Sequence, residues 1–364
     1  MKIKSLETFC RGTQLGVVRV RTDDGAEGWG QLSTYNADIA ATVLHRQLAP
    51  HTLGADALDI DTLVDRSIEA TYKFPGSFVC RALTAIDTAL WDLRGKLEGK
   101  SVCELLGGTP RPFPVYGSSM RRDITPEDEA ERLTGLRERH GYTAFKTRIG
   151  SVAGHDVDQW PGRTETLVPT VRKAVGDDVR LLVDANSCYT PAKAIEVGQM
   201  LHANGVCHLE EPCPYWQLEW TAEVRRAVQV PVAGGEQDYD LQQWRRIIGM
   251  PAVDIVQPDV CYIGGVTRTL RVARWAEAAG LPCVPHSANR SMVTVYALHI
   301  MGAIPNAGSY VEFSIEPTSW LDGFLVEPLE AKDGKVDIPA GPGWGAEISP
   351  EWLAQAEYQI SELS

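Results

Sequence analysis

The stretch RLLVDANSCYTPAKAIEVGQMLHANGVCHLEEP, residues 180–212, contains one complete copy of the pattern that decides the fold. A short apolar run is followed by an amphipathic segment, which ends at Gly205, a residue typical of the position just after a helix. A second apolar run begins at Val206. This order predicts a strand, a helix and a second strand, which is the unit from which parallel sheets are built.

The same alternation recurs between residues 113 and 320. The apolar runs that we interpret as strands are FPVYG, TAFKTRI, RLLVDAN, VCHLEEP, VPVAGGE, VDIVQPD, PCVPHSA and SYVEFS. Helical stretches such as GGVTRTLRVARWAEAAG lie between them. Eight such units in roughly 200 residues predict a parallel (β/α)₈ barrel, the TIM barrel.

Residues 1–112 follow a different pattern. The runs QLGVVRVRT and AEGWGQL, on either side of the turn DDG, predict antiparallel strands, and FVCRALTAIDTALWDLRGKLEG has the apolar spacing of an amphipathic helix. We interpret these residues as an α+β capping domain. Residues 321–364 have lost the βα alternation, and we expect them to return to the cap and complete it.

Composition excludes several classes of partner. The net charge of −13 argues against binding to nucleic acid or to an anionic membrane. The chain contains no run of about 18 apolar residues that could cross a bilayer, and MKIKSLETF lacks the apolar core of a signal peptide. The eight cysteines form no CxxC pair. We therefore expect a cytoplasmic protein with reduced thiols.

Three acids follow consecutive predicted strands. Asp184, Glu210 and Glu236 are spaced 26 residues apart, one βα unit each. Strand ends of this kind meet at one mouth of a barrel, where three carboxylates repel one another unless a cation joins them. One such acid alone is typical of a solvated loop, but three at matched positions predict a site for Mg²⁺, which prefers oxygen ligands.

The last three predicted strands also end in polar residues. Asp259 follows the sixth strand and His286 the seventh, and a carboxylate beside an imidazole fixes its tautomer and raises its basicity. This pair predicts a catalytic dyad. Glu312 on the eighth strand could donate a hydrogen bond if burial kept it protonated, and the alternative is a salt-bridged surface residue.

Two cations lie on the same face of the second predicted strand. Lys146 and Arg148 are two residues apart in TAFKTRIG. A neighbouring fixed cation lowers the pKa of a lysine, and arginine keeps its own proton. Lys146 is therefore a candidate general base, with Arg148 as its perturber. The alternative is that both cations only neutralise the three carboxylates.

An ordered set of motifs extends these inferences. The segments ALTAIDTALWDLRGK, KTRIG, VDAN, EEP, GGE, QPD, GGVT, PHS and VEF occur in this order. Together they resemble the enolase superfamily and, within it, the mandelate racemase-like subgroup, over essentially the whole chain. The resemblance implies an enolase-type modified barrel and relatives that are commonly dimers or octamers, so we expect a homo-oligomer.

The resemblance also implies roles for individual residues. Asp184, Glu210 and Glu236 would bind one Mg²⁺ per subunit. Lys146 and His286 would face each other across a small carboxylate substrate, and the residues that would assist them there are Asp259, Arg148, Glu312 and Asn186 of VDAN.

The expected chemistry is removal of the proton next to a carboxylate, with Mg²⁺ stabilising the enediolate. Loss of a β-hydroxyl from an acid sugar would then give a 2-keto-3-deoxy acid, which makes an acid-sugar dehydratase our first interpretation. A racemase or epimerase is the second and a cycloisomerase the third. A metal-dependent hydrolase is disfavoured because neither HxH nor HExxH is present. A non-catalytic scaffold would leave the strand-end residues unexplained.

Two cationic residues of the cap are candidates for substrate choice. Arg11 lies in the short loop CRGTQ, and Lys73 lies in TYKFPG. If the substrate is a diacid, its distal carboxylate needs a partner that the metal cannot supply. The alternative is that both are solvated loop charges.

Overall fold

The computed structural model describes residues 1–363. The strands are β1 (Ile3–Arg11), β2 (Leu15–Thr22), β3 (Glu27–Gln31), β4 (Pro112–Ser118), β5 (Ala144–Arg148), β6 (Arg180–Asp184), β7 (Val206–Glu210), β8 (Val232–Gly234), β9 (Ile255–Val256), β10 (Val311–Ser314), β11 (Lys335–Asp337) and β12 (Glu357–Glu362). The helices are α1 (Ala37–Val43), α2 (Ala49–Thr52), α3 (Ile60–Ala70), α4 (Ser77–Glu98), α5 (Val102–Leu105), α6 (Pro126–His140), α7 (Arg163–Val175), α8 (Pro191–Ala203), α9 (Leu218–Ala227), α10 (Leu241–Gly249), α11 (Val260–Ile263), α12 (Val266–Ala278), α13 (Met292–Met301) and α14 (Pro350–Leu353). Within residues 1–363 none of these helices is long and apolar enough to cross a membrane.

The cap contains an antiparallel sheet with the strand order β12-β1-β2-β3. Strand β12 pairs along β1, so the prediction that the tail returns to complete the cap is confirmed. Helix α4 packs closely on β3 because two glycines leave room for it. A Cβ atom at Gly28 would lie 2.0 Å from the carbonyl oxygen of Ala89, and one at Gly30 would lie 2.2 Å from that of Ala85.

The barrel follows the predicted order. Parallel strands run β10-β4-β5-β6-β7-β8-β9, which confirms the fold class. The seventh predicted strand is irregular: Cys283 makes single bridges to Val256 on β9 and to Ala307, in the segment that leads into β10. Pro282 and Pro285 account for the irregularity, because proline has no N–H to donate to a strand ladder.

Part of the tail stays with the barrel. Strand β11 pairs antiparallel with β4, with Val336 opposite Phe113, before the chain continues to β12. The pairing places one tail strand on each of the two sheets. The boundaries at residues 112 and 320 remain proposals.

The cap is fixed to the barrel through α4. Asp87 accepts hydrogen bonds from the backbone N–H groups of Val266, at 2.6 Å, and Thr267, at 3.3 Å, at the start of α12. The hydroxyl of Thr84 donates to the carbonyl of Val260, the first residue of α11, at 3.1 Å. The cap is thereby held over the loops that follow the barrel strands.

Candidate active site

The predicted site residues of the barrel lie at one end of it. Asp184 and Glu210 are the final residues of β6 and β7 and are paired in register, and Arg148 at the end of β5 is paired with Asp184. Glu236 lies two residues beyond β8, and Glu312 lies on β10. Because the strands are parallel, their carboxyl ends bring these side chains together.

Lys146 lies in the centre of this cluster and is fully buried. Its Nζ atom is 2.8 Å from Oε1 of Glu312, 3.0 Å from both oxygens of Glu210 and 3.7 Å from Oδ2 of Asp184. Burial lowers the pKa of Lys146, but Glu210 and Glu312 raise it more, so the pKa is well above the usual value. The expectation of a lowered pKa was wrong for the residues as they lie, because the nearest charges are acids rather than Arg148.

Arg148 is directed toward Asp184. Its Nε atom lies 3.2 Å from Oδ2 of Asp184, but neither atom has a hydrogen-bond partner. The contact is therefore an ion pair without hydrogen-bond alignment. Burial lowers the pKa of Arg148, and Asp184, Glu236 and other acids raise it above the usual value.

His286 and Asp259 form the predicted contact. Nδ1 of His286 lies 2.7 Å from Oδ2 of Asp259, and the other oxygen of Asp259 accepts the N–H groups of Cys261 and Tyr262 at 2.7 and 3.0 Å. The aspartate is thus fixed by backbone at the start of α11. Nε2 of His286 lies 3.1 Å from Oε2 of Glu236. Burial lowers the pKa of His286, but the surrounding acids raise it to about 10.

Glu312 lies between the lysine and the histidine. Its Oε1 accepts the Ser118 hydroxyl at 2.7 Å, and its Oε2 accepts the Ser287 N–H at 3.0 Å and lies 3.7 Å from Nε2 of His286. Burial raises the pKa of Glu312, but Lys146 and His286 lower it to about 2. The expectation of a protonated Glu312 was therefore wrong for this arrangement, since a cation lies on each side. The residue is also fully buried, unlike a surface salt-bridge partner.

The donor chemistry of Asp184, Glu210 and Glu236 fits a hard divalent cation. All three carboxylates are buried, and Oδ2 of Asp184 has no hydrogen bond. The side chains as described are closed onto Lys146 and His286. Accordingly, no group of three or more His, Cys, Asp or Glu side chains in residues 1–363 already surrounds a common metal position.

Asn186 lies beside the cluster in a left-handed backbone conformation, with φ of 45°. Its amide nitrogen donates to Oε2 of Glu211 at 3.4 Å, and its Oδ1 accepts from Nη2 of Arg122 at 3.4 Å. Arg122 also donates through Nε to the carbonyl of Gly150 at 2.9 Å. Sequence reasoning missed Arg122 because it lies in the loop after β4, where spacing gives no signal.

Two further residues were missed although a signal existed. His208 lies two residues before Glu210 on β7, and Ser118 ends β4. Alternation along a strand places residues two apart on one face, so His208 could have been predicted beside Glu210. Nε2 of His208 lies 3.2 Å from Oε2 of Glu210.

The two cap cations lie apart from this hydrogen-bonded cluster. The guanidinium of Arg11 lies 5.7 Å from the ring centroid of Trp352, and Nζ of Lys73 lies 5.7 Å from that of Tyr72. Lys73 is exposed and Arg11 is half-buried. The contacts described for both are therefore aromatic, and their role toward a substrate stays a prediction.

Two cavities lie away from the mouth. A groove of about 810 Å³ runs along the tail, between Val326 and Glu347. A smaller cavity of about 150 Å³ lies toward the amino-terminal ends of the barrel strands, where Arg180 and Cys207 line it together with Tyr116, Leu182 and His208. The mouth is recognised by its chemistry: a lysine and a histidine lie on either side of a buried carboxylate, beside three further acids. That arrangement can move protons next to a bound anion.

Two family models match this chain. One, described as enolase C-terminal domain-like, matches residues 128–352. The other, the N-terminal domain of the mandelate racemase / muconate lactonizing enzyme family, matches residues 5–107. Together they cover most of the barrel and most of the cap.

Two similar curated proteins act on acid sugars, according to their names. An arabinonate dehydratase from Saccharolobus solfataricus is 28% identical over 342 residues, covering 92% of this chain and 88% of that protein. A D-galactarolactone cycloisomerase from Agrobacterium fabrum is 31% identical over 350 residues, covering 93% and 90%.

Solved structures show the same fold. A racemase candidate from Roseobacter denitrificans is 58% identical with a TM-score of 0.98, and the match covers 100% of both chains. An L-talarate dehydratase from Polaromonas, solved with Mg and L-glucarate, is 26% identical with a TM-score of 0.86, covering 100% of this chain and 99% of that one.

Proposed function

The chain belongs to the mandelate racemase / muconate lactonizing enzyme family of the enolase superfamily, and from this premise we propose that it is a Mg²⁺-dependent acid-sugar dehydratase. The reaction removes the proton α to the substrate carboxylate and expels the β-hydroxyl as water. The enol that results tautomerises to a 2-keto-3-deoxy acid. Relatives that dehydrate acid sugars support this choice.

One observation carries the proposal. Two groups able to hold a proton, Nζ of Lys146 and Nε2 of His286, lie 2.8 and 3.7 Å from opposite oxygens of the buried Glu312. A carboxylate substrate bound beside Glu312 therefore has a proton carrier on each side of its α-carbon. Buried charges that are balanced mainly by one another add little stability, so this cluster favours a catalytic site over a structural one.

We propose Asp184, Glu210 and Glu236 as the residues that hold Mg²⁺. When bound, the cation stabilises the negative charge that develops on the substrate carboxylate. Its charge would also offset the three carboxylates that now pair with Lys146 and His286. Lys146 and His286, relieved of part of that negative charge, would then hold their protons less tightly.

The remaining residues transfer protons or orient the groups that do so. Lys146 and His286 are the candidates for taking the α-proton, at Nζ or at Nε2, and for delivering a proton to the departing hydroxyl. Asp259 accepts a hydrogen bond from Nδ1 of His286. This bond fixes the tautomer of the imidazole and stabilises its positive charge when it is protonated. Glu312 is held by Ser118 and Ser287, and in its protonated form it would act as a hydrogen-bond donor that positions the substrate carboxylate.

A second candidate is racemisation or epimerisation. Carriers on both sides of the α-carbon permit removal of the proton from one face and return to the other, and the Roseobacter denitrificans protein is a racemase candidate. Cycloisomerisation through the same enediolate is the third reaction, and it is supported by the Agrobacterium fabrum relative.

A substrate screen separates these reactions. Mono- and diacid sugars are incubated with protein and Mg²⁺, and formation of 2-keto acid is scored together with exchange of the α-proton in D₂O. We expect 2-keto acid from at least one acid sugar. Exchange with inversion and no keto acid establishes a racemase instead, and inactivity toward every acid sugar with neither product nor exchange contradicts the whole proposal.

We further infer a cytoplasmic homo-oligomer. The inference rests on the composition and on the family, whose members commonly assemble as dimers or octamers. Light scattering on the purified protein measures the mass directly, and a value of one subunit, 39.9 kDa, contradicts it.

A further inference from the structure

His208 is an anomalous residue for its place in the barrel. It lies on β7 with its side chain on the inner face, and it is 5% exposed. The neighbouring inner layer is formed by Tyr116, Ala144 and Leu182, which pack together as a small apolar cluster. A buried imidazole is costly unless it is hydrogen-bonded, and an apolar residue would fill this position without that cost.

The hydrogen bond described for His208 is made to Glu210. Nε2 of His208 lies 3.2 Å from Oε2 of Glu210. An ionised carboxylate can only accept, so the hydrogen is on Nε2, which donates. Nζ of Lys146 lies 3.0 Å from both oxygens of Glu210, so Oε2 contacts the histidine and the lysine, whereas Oε1 contacts the lysine.

The same arrangement occurs at the other two acids. Oδ1 of Asp184 accepts the backbone N–H of Asn186 at 2.7 Å, and Oε1 of Glu236 accepts from Nε2 of Gln237 at 3.1 Å. Each acid thus has one oxygen held by an N–H donor close to it in sequence. The other oxygen is directed toward an ionisable group, Arg148 or His286.

We propose that His208 is a positioning residue for the divalent cation: it holds Oε2 of Glu210 from inside the barrel and leaves the second oxygen for the metal. This inference rests on the proposed function, because it assigns Glu210 to the metal. It assigns to His208 the role that a backbone N–H has at Asp184. Hydrogen-bond donors to metal ligands typically change metal affinity by 10–100-fold when they are removed.

The test is calorimetric titration of chelator-treated protein with Mg²⁺ alone, without substrate. His208→Leu removes the donor at similar volume, and we expect its Kd for Mg²⁺ to rise about 10–100-fold. His208→Gln keeps an N–H donor, and its affinity should stay nearer to that of the wild type. Tyr116→Phe is the matched control: it removes a hydroxyl without a hydrogen-bond partner from the same cavity, and its affinity should not change.

Several outcomes overturn the inference. An unchanged Kd in folded His208→Leu does so, as does an equal loss in His208→Leu and His208→Gln, which would show a packing role. If His208→Leu does not fold, His208→Phe, which extends into the cavity of about 150 Å³, provides the same comparison. If the wild type itself binds no Mg²⁺, the proposed metal dependence fails first, and the inference fails with it.

Discussion

Asp92 and Asp184 are both buried aspartates, but their partners differ in kind. At the interface between cap and tail, Oδ2 of Asp92 accepts the N–H of Trp29 at 2.8 Å, and Oδ1 accepts that of Trp344 at 3.0 Å. At the mouth, Oδ2 of Asp184 has no hydrogen bond, and its nearest partners are Nε of Arg148 and Nζ of Lys146.

This difference distinguishes residues that stabilise the fold from residues that take part in binding and catalysis. Backbone donors are fixed, so both oxygens of Asp92 are held by other segments of the chain, and Nζ of Lys96 adds an ion pair to Oδ2 at 2.6 Å. Oδ1 of Asp184 also accepts a backbone N–H, that of Asn186, but the partners of its Oδ2 are side chains that a ligand can displace. A buried charge that is balanced only by other charges adds little to stability compared with apolar packing. Such a cluster therefore indicates a site that is completed by something that binds.

Metal removal tests the mouth most strongly. We expect chelator to abolish turnover and Mg²⁺ to restore it, and we expect Asp184→Asn, Glu210→Gln and Glu236→Gln each to abolish turnover with the fold intact. Turnover on the acid found by the screen, with circular dichroism as the check on folding, is the measurement. Full activity of chelator-treated, metal-free protein would contradict the assignment.

Replacement of the proton carriers is the next largest effect. General acid or base groups contribute about 10²–10⁴-fold, so Lys146→Ala and His286→Ala should each lose at least that much in kcat. One of the two variants should still exchange the substrate α-proton in D₂O, which identifies the group that abstracts it. Lys146→Arg should be inactive as well, since guanidinium keeps its proton. Near wild-type turnover and exchange in Lys146→Ala would rule out its role.

Loss of Asp92 should act on stability instead. Asp92→Ala leaves two N–H groups, of Trp29 and Trp344, without their acceptor, and we expect unfolding to become easier by roughly 2–4 kcal/mol. Urea unfolding measures it. Asp184→Asn is the matched control, and in metal-free protein it should cost much less. Equal losses of unfolding free energy in the two variants would contradict the distinction between the two regions.

His299 belongs to the region that stabilises the fold, and it tests the comparison through the dependence of stability on pH. Its Nδ1 accepts the Cys103 N–H and its Nε2 donates to the Trp344 carbonyl, each at 3.0 Å. Burial lowers its pKa from 6.5 to about 4, so the folded state favours neutral imidazole. The contribution of neutral His299 to the free energy of unfolding is fully present above pH 6.5 and is lost as the pH falls toward 4. The total loss is on the order of 3 kcal/mol.

Urea unfolding of wild type and His299→Gln at pH 7 and pH 4.5 checks this expectation. The variant has no imidazole to protonate, so its stability should fall less over that interval. Parallel pH dependence in the two proteins would show that other groups, including the acids at the mouth, account for the loss.

The smallest expected effect concerns the cap cations. If a diacid is the substrate, a lost charge-assisted hydrogen bond of about 1.5 kcal/mol corresponds to roughly a tenfold rise in KM. We expect that rise in Arg11→Met or Lys73→Met, with little change in kcat. Steady-state kinetics on the diacid measure it, and an unchanged KM in both variants would favour a monoacid.

Spacing along the chain was sufficient for the barrel and for the positions of its acids. Asp184, Glu210 and Glu236 could be placed because each ends one βα unit. The protonation of Glu312 and the pKa of Lys146 could not be predicted, since both depend on distances of 2.8–3.7 Å across the mouth between residues far apart in sequence. The irregularity of the seventh strand could have been predicted from Pro282 and Pro285. The regular repeat of eight strand–helix units led us to expect an ordinary strand there instead.

The pairing of β1 with β12 has a consequence for how the protein is made. During synthesis, residues 1–112 supply three strands of the cap sheet, and the fourth follows only after the entire barrel has been translated. Contacts between such distant segments form late, because closing a long loop costs entropy before it is rewarded. The sheet of the cap can therefore become complete only when the last residues of the chain reach β1.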